Sequence, residues 1–355
     1  MKLKFQILNV SKLTVKNMSI SSLIIKKIIP LVVKLLGAKK GTWKAEKYKT
    51  AILSIIMIPL KRLKGVRRTP KSVENQYDQI SGLYIQDNYY SPKMRYSVVD
   101  GEVKNISSID NMKAIRMEMR DVLSEYEFAN ILEVGVGELT TLEDVYQSFG
   151  PKIDCYGIDL SLNRIKHGLE EYKKRHSEQP VVAKANALEL PFPDNSFDLV
   201  ITRHTLEQMP KIYKKALDEI FRVSKKHVIL FEPSFEMGSF AQKLKMLNTD
   251  YVRGIPTYLK NKSNLKIDPA YLMNNSANPL NHTACYKATI SDNNIPEANN
   301  TKVHFVCPQT KTLLENRGTY YYSQNAECAY PIIEDIPVLD AEYSLILSES
   351  DDGDQ

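Results

Sequence analysis

ILEVGVGELTTL, residues 131–142, is the stretch from which the chain is best read. Ile131, Leu132 and Val134 make a short apolar run interrupted by one acid, Glu133. Gly135 and Gly137 follow, one residue apart, and Thr140, Thr141 and Leu142 continue without a break. The pattern predicts a buried strand that runs through a glycine turn into a helix. Glycine lets the backbone turn tightly and lets a ligand approach it closely. In open α/β sheets ligands lie outside the carboxyl ends of strands, at such turns. A nucleotide-like cofactor is therefore expected over Gly135 and Gly137.

The flanking sequence repeats the strand–helix alternation. Upstream, a helix starts at Asp110, with Met112, Ile115, Met119, Val122, Leu123 and Tyr126 on one face, and Asn130 ends it. Downstream, 138–148 reads as a crossover helix and 153–158 as a second strand stopping at Asp159. Ser161 caps a helix to about residue 175. Further strands are expected at 181–185, 197–202 and 227–231, with an amphipathic helix at 211–223. Such alternation predicts an α/β fold with a doubly wound, mostly parallel sheet covered on both faces.

The acids at the strand ends narrow the ligand. Asp159 lies 22 residues beyond Gly137, where an acid accepts hydrogen bonds from ribose hydroxyls. A dinucleotide site would need a third glycine at position 140, which is Thr140. Glu133, two residues before the first glycine, would also repel a pyrophosphate. A cofactor with a positive amino group and no phosphate fits better, and S-adenosylmethionine has both properties.

These motifs resemble the class I S-adenosylmethionine-dependent methyltransferases over about residues 111–233. EVGVGE is similar to their first motif, usually E/D-x-G-x-G-x-G, and YGIDLS at 156–161 to their second. ALELPFPDNSFDLVITRHTLEQM, residues 187–209, resembles the stretch from the adenine loop through the fourth strand. The resemblance implies a Rossmann-like fold with Gly135 and Gly137 under the methionine part and Glu133 near its amino group. Asp159 would hold the ribose, Leu160 would lie against adenine, and Asn186 and Ala187 would face the adenine edge. Three residues depart from the family pattern. Leu139 replaces the third glycine of the motif, which is expected to narrow the turn. Asn186 stands for the usual Asp, leaving an adenine contact through the amide oxygen. Gln208 stands where His is common.

Methyl transfer from a sulfonium needs alignment of a nucleophile and, for a hydroxyl, removal of its proton. His204, just past the fourth strand, and Glu232, after the fifth, are the candidate bases, each against a plain packing role. Glu207 is one helical turn beyond His204.

The chain of 355 residues is long enough for two or three domains. Its net charge of +6 hides an asymmetry. Residues 1–71 hold 18 Lys and Arg against one acid, Glu46, a charge of +17, and the remainder carries −11. This basic amphipathic segment contains two apolar runs, 22–37 and 48–65, both shorter than a spanning helix and each carrying a proline, Pro30 or Pro59, expected to bend or end a helix. It reads as a helix pair on an anionic membrane surface, as helices packed on the main domain, or as an RNA-binding arm. The acidic body ranks a nucleic-acid partner behind the others.

Thr69-Pro70 reads as a hinge, and residues 72–300 as the methyltransferase domain, with 234–300 on its acceptor side. Residues 292–300 are rich in Asn and read as a linker. Residues 301–345 form a small β-rich unit. FVCPQTKTLL at 305–314 and AYPIIEDIPVLD at 329–340 resemble the zinc-ribbon-like domain of methyltransferase activator subunits. Cys307 has Thr310 at the paired position and Cys328 has no near partner, so no metal is expected. The unit would serve for packing or for docking a protein partner. The tail, 346–355, is acidic and reads as disordered. Four scattered cysteines suggest a reducing cytosol, with the arm peripheral at the inner membrane surface. The sequence thus points to a methyltransferase acting on a small-molecule acceptor, or on a glycan or lipid-linked one, by O-methylation. An RNA methyltransferase and a non-catalytic cofactor-binding scaffold are the alternatives.

Overall fold

The computed structural model describes residues 24–63, 68–83, 91–291 and 302–346, with the backbone of two short paired segments, Thr14–Val15 and Met18–Ser19. The linker expected at 292–300 and the tail from residue 347 lie outside the described residues. Five parallel strands form the centre: β1 (Asn130–Val134), β2 (Asp154–Asp159), β3 (Val181–Ala185), β4 (Phe197–Arg203) and β5 (Ser224–Pro233). β1 pairs with β2 on one side and β4 on the other; β3 lies beyond β2 and β5 beyond β4. A sixth strand, β6 (Thr283–Ile290), closes against β5 in the antiparallel sense. The fold is thus α/β with a mostly parallel sheet.

The strands are buried on both faces, which is why they read as nearly unbroken apolar runs. Successive side chains point to opposite faces. Leu132, Val134, Val200, Val228 and Leu230 enter one core layer, with Leu217 and Ile220 of the helix Tyr213–Val223. Ile131, Leu199, Ile201, Ile229 and Phe231 enter the other, with Met112, Ile115, Met119 and Val122 of the helix Ser108–Leu123. Glu133 falls two residues after Ile131 and so belongs to this second face.

The C-terminal strands continue the same sheet. β7 (Tyr320–Ser323), β8 (Cys328–Ile333) and β9 (Ile336–Leu339) form an antiparallel set. β9 also pairs in parallel with β3, Val338 opposite Lys184 and Leu339 opposite Ala185. Residues 303–307 take no strand of their own and make one isolated bridge, Val306 to Leu313.

Among the described residues ahead of the core are the helices α1 (Ile29–Leu35), α2 (Trp43–Leu63) and α3 (Pro70–Ile80), and an antiparallel hairpin, Met94–Val99 with Glu102–Ser107. α1 begins around Pro30 and is not ended by it, and α2 continues four residues past Pro59. A proline in the first turn costs no hydrogen bond, and one near a helix end disturbs only the last turn. α2 packs along the helix α4 (Phe240–Thr249) of the main body. Lys61 Nζ donates to the Asn248 carbonyl at 2.7 Å. Among the described residues no helix is long and apolar enough to cross a membrane.

Candidate active site

A cavity of about 710 Å³ opens over the carboxyl ends of β1, β2 and β4. Its floor is the β1 turn. The amides of Gly135 and Val136 donate to the Ile158 carbonyl at 2.8 and 2.9 Å, folding the turn over the end of β2. Gly135 has φ +82°, and a Cβ there would lie 2.1 Å from Thr205 Oγ1. Only glycine suits both conditions. Leu139, at the place of the third family glycine, takes the left-handed conformation itself, φ 60°. Leu139 thus keeps the backbone conformation that a glycine would supply. The Leu139 side chain is buried instead against Gly168, whose missing Cβ leaves room for it and for the Glu138 backbone.

Asp159 ties this turn to the next loop. Its Oδ2 accepts from the Gly137 amide at 2.9 Å and its Oδ1 from the Ser161 amide at 2.8 Å. Arg164 Nη1 stands 3.8 Å from Oδ2. A carboxylate has about four acceptor positions, so Asp159 keeps capacity for ligand hydroxyls.

Glu133 also lines the cavity wall and is 2 % exposed. Among the described residues its Oε2 has no hydrogen-bond partner. Burial pushes its carboxyl up to about 8, against the opposing pull of Thr141 and Arg203. A buried acid so poorly paired is costly unless a donor arrives from elsewhere.

Leu160, Asn186 and Ala187 line the same cavity. Asn186 Oδ1 accepts from the Leu188 amide at 3.1 Å. The amide oxygen expected to meet adenine is thus partly used by its own loop, and the NH₂ is the more available end. Gly137 does not line the cavity; it lies behind the wall and acts through its bond to Asp159.

His204 projects into the cavity from the loop after β4, with φ 54°. Its Nδ1 is 3.1 Å from Glu207 Oε2 and its Nε2 is 2.8 Å from Thr283 Oγ1. Asn281 Nδ2 donates to the same Glu207 oxygen at 2.8 Å, and Gln208 Nε2 donates to Oε1 at 2.8 Å. Burial raises the Glu207 carboxyl, but His204 and Asn281 outweigh it and hold the group below the usual carboxylate range. An ionised Glu207 orients Nδ1–H toward itself and leaves Nε2 as the acceptor. This is the arrangement of an imidazole base oriented by a carboxylate.

Glu232 does not reach the cavity and is fully buried. Its Oε1 accepts from Thr202 Oγ1 and the amides of Thr205 and Leu206, and its Oε2 from the Glu207 amide. Burial pushes its carboxyl up to about 7. With its oxygens occupied it anchors the loop that carries His204 and Glu207, holding the left-handed residue in place.

The roof and far wall come from segments with no motif. α3 contributes Val73, Glu74 and Tyr77, and the 94–107 hairpin contributes Arg95 and Tyr96. Ala277, Asn278 and Asn281 are the residues of 234–300 that reach the cavity. α3 is held down by a buried cluster: Lys184 Nζ lies 3.3 Å from Glu74 Oε1 and 3.4 Å from Asp340 Oδ2, and the Tyr343 hydroxyl donates to Glu74 at 2.8 Å. Asp340 and Tyr343 lie just past β9, so the C-terminal strands support the roof of the cavity. A capping box, Thr69 with Ser72, starts α3 where a hinge was expected. At the C-terminal strands, Cys307 Sγ lies 3.4 Å from the Tyr330 hydroxyl.

Residues 132–231 match the family described as a methyltransferase domain. The chain is 39% identical over 79 residues to the demethylmenaquinone methyltransferase of Anoxybacillus flavithermus, 22% of this chain and 33% of that one. It is 34% identical over 110 residues to the enzyme of the same name from Listeria welshimeri, 31% of this chain and 46% of that one. The chain spans less than half the length of these curated relatives. Among solved structures, magnesium protoporphyrin IX methyltransferase from Synechocystis is 14% identical, covering 52% of this chain and 85% of that one, with a TM-score of 0.43.

Proposed function

We propose that the chain is an S-adenosylmethionine-dependent methyltransferase acting on a small-molecule acceptor. The observation that carries this reading is Glu133: a buried acid on the cavity wall with an oxygen that no group among the described residues satisfies. A cationic ammonium would satisfy it, and the methionine end of the cofactor carries one. Asp159 would accept from the ribose hydroxyls, Leu160 would pack on adenine, and Asn186 with Ala187 would face its edge. The match of residues 132–231 to the methyltransferase domain family supports the same assignment.

When bound, the cofactor supplies an electrophilic methyl group. The protein's part is to bind the acceptor beside it, exclude water and take a proton. His204 Nε2 would take that proton from an acceptor hydroxyl, exchanging the Thr283 hydroxyl for the substrate's, while Glu207 steadies the resulting imidazolium. This gives O-methylation. Met112, Met209, Ile212 and Tyr96 add apolar surface to the cavity lining, which favours an aromatic or lipid-soluble acceptor over a glycan. The relatives named for demethylmenaquinone favour the same class. We read residues 302–346 as a metal-free, zinc-ribbon-like unit that extends the sheet and props α3.

Calorimetry with S-adenosylmethionine and S-adenosylhomocysteine tests the cofactor assignment, alongside Gly135→Val. Binding by the native chain and none by the folded variant is expected; equal affinity in the two refutes it. Turnover of labelled methyl donor with hydroxylated aromatic and isoprenoid compounds tests the acceptor class. Cofactor binding without turnover of any of them would refute that class.

A further inference from the structure

The N-terminal helices are docked on the body and still leave an apolar face uncovered. Leu31 and Leu35 of α1 are 59% and 77% exposed, Leu63 of α2 is 85% exposed, and Phe240, on the helix packed beside α2, is 73% exposed. Residues 51–60, AILSIIMIPL, carry no charge, yet Ser54 is the one side chain among them that is buried. The helix core is small: Ile29, Val33, Ala38 and Ala45 are its buried members. Single exposed leucines need no explanation, but so many on three packed helices do.

The charges on these helices are almost all positive. Lys26, Lys27, Lys34, Lys39, Lys40 and Lys44 are all exposed. Glu46 is the single acid in the first 71 residues. Exposed apolar side chains set among lysines on short helices are the chemistry of an interfacial membrane segment, and a lysine-rich rim is complementary to anionic lipid headgroups. A second protein copy would present the same positive rim to itself and be repelled.

The start of α2 touches a residue of the cavity wall. Trp43 packs against the Tyr96 ring with centroids 5.8 Å apart, and the Tyr96 hydroxyl donates to the Gly41 carbonyl at 2.6 Å. Beyond the other end, Arg68 bonds to Gln208 and to the Thr249 carbonyl. Tyr96, Arg68 and Gln208 all line the cavity. The helix that carries exposed apolar side chains therefore starts beside the cavity wall.

We propose that α1 and α2 seat the protein on an anionic bilayer, with the cavity rim held at the lipid surface so that a lipid-soluble acceptor passes into it without crossing water. The seating is independent of the methyl-transfer reading; the route for the acceptor rests on that reading. The test is flotation of the full chain with phosphatidylcholine vesicles, with and without phosphatidylglycerol. Binding to the anionic vesicles is expected, weakening with salt. Each lysine near such a surface contributes several-fold to partitioning. Lys26→Gln/Lys27→Gln/Lys34→Gln should therefore bind roughly 100-fold more weakly. Leu31→Ser/Leu35→Ser should lose binding while its thermal melt and its cofactor affinity match the native chain, since neither residue lines the cavity. No flotation of the native chain overturns the proposal. So does unchanged binding by both variants, or a dimer in sedimentation that the leucine variant dissociates without any vesicle binding by the native chain. Cofactor binding is read by calorimetry in the absence of lipid, so a failed surface and a failed methyltransferase are told apart.

Discussion

Replacing Glu133 with glutamine should make the protein more stable and a poorer binder. Burial raises the Glu133 carboxyl from 4.5 to about 8. Between those values the folded state holds a proton that the unfolded state has released, so native stability falls as pH rises through the interval. Each pH unit costs about 1.4 kcal/mol, giving roughly 3–4 kcal/mol at neutral pH and about 5 kcal/mol above pH 8 as upper values. The glutamine of Glu133→Gln keeps the shape and cannot ionise. The variant's stability advantage should therefore be absent below pH 4.5, grow with pH and level off above about 8. Binding runs the other way. Accepting from an ammonium requires the ionised acid, so cofactor affinity of the native chain should rise up to tenfold per pH unit toward pH 8 and then flatten. Close to one proton should be released per cofactor bound at neutral pH. The variant forfeits a charge-assisted hydrogen bond of about 1.5–3 kcal/mol, a loss of roughly 10–100-fold in affinity, with no pH dependence left from this group. Denaturant melts across the acidic to mildly alkaline range, and calorimetry in buffers of different ionisation enthalpy, read both halves. A stability difference that does not vary with pH, or a variant that binds as tightly as the native chain, would refute the reasoning.

Three other outcomes follow from the geometry. His204→Gln should lower kcat by about 10²–10⁴-fold, while calorimetry finds cofactor affinity unchanged. Glu207→Gln should lower kcat with the fold retained, because the amide no longer stabilises the imidazolium; an unchanged kcat would leave Glu207 as packing. Lys184→Ala should lower stability by about 3–5 kcal/mol and increase hydrogen exchange in residues 70–80, because Glu74 and Asp340 then lose their buried cation.

The centre of the fold was legible because its signals are local. The glycine turn, Asp159 at the end of β2 and the Ser161 cap are each specified by a few adjacent residues. The strands at 181–185 and 197–203 show as mostly apolar runs, broken by Lys184 and Asp198, because helices cover both faces. What stayed hidden depends on distant pairing. β9 joins β3 across more than 150 residues of sequence, and nothing in PVLD marks it as a neighbour of VVAKA. The one available signal was Lys184, a charge within a strand read as buried, which implied a buried partner. α3 could have been read from Thr69-Pro70-x-Ser72, since that spacing is a helix start. The hairpin at 94–107 has period-two alternation too weak to see. Asn281 and Thr283, which complete the His204 site, come from a stretch with no periodicity that would aim them at it.

Glu133 and Glu232 show where reading by position stops. Both are acids at the carboxyl ends of parallel strands, both are buried, and both are pushed above the usual carboxylate range by that burial. A strand-end rule treats them alike. They part in the donors the fold brings to each. Glu232 faces a loop that turns back over it and delivers three amides, and β4 adds the Thr202 hydroxyl. Glu133 faces a turn whose amides are already spent on the Ile158 carbonyl and on Asp159. A buried acid with four donors has finished its work within the protein and is a fastener. One with an oxygen left over carries an unmet acceptor whose cost burial makes large, and the cheapest remedy is a cation from outside. The glycine turn matters for the same reason: by turning its amides away from Glu133, it leaves the acid for the ligand.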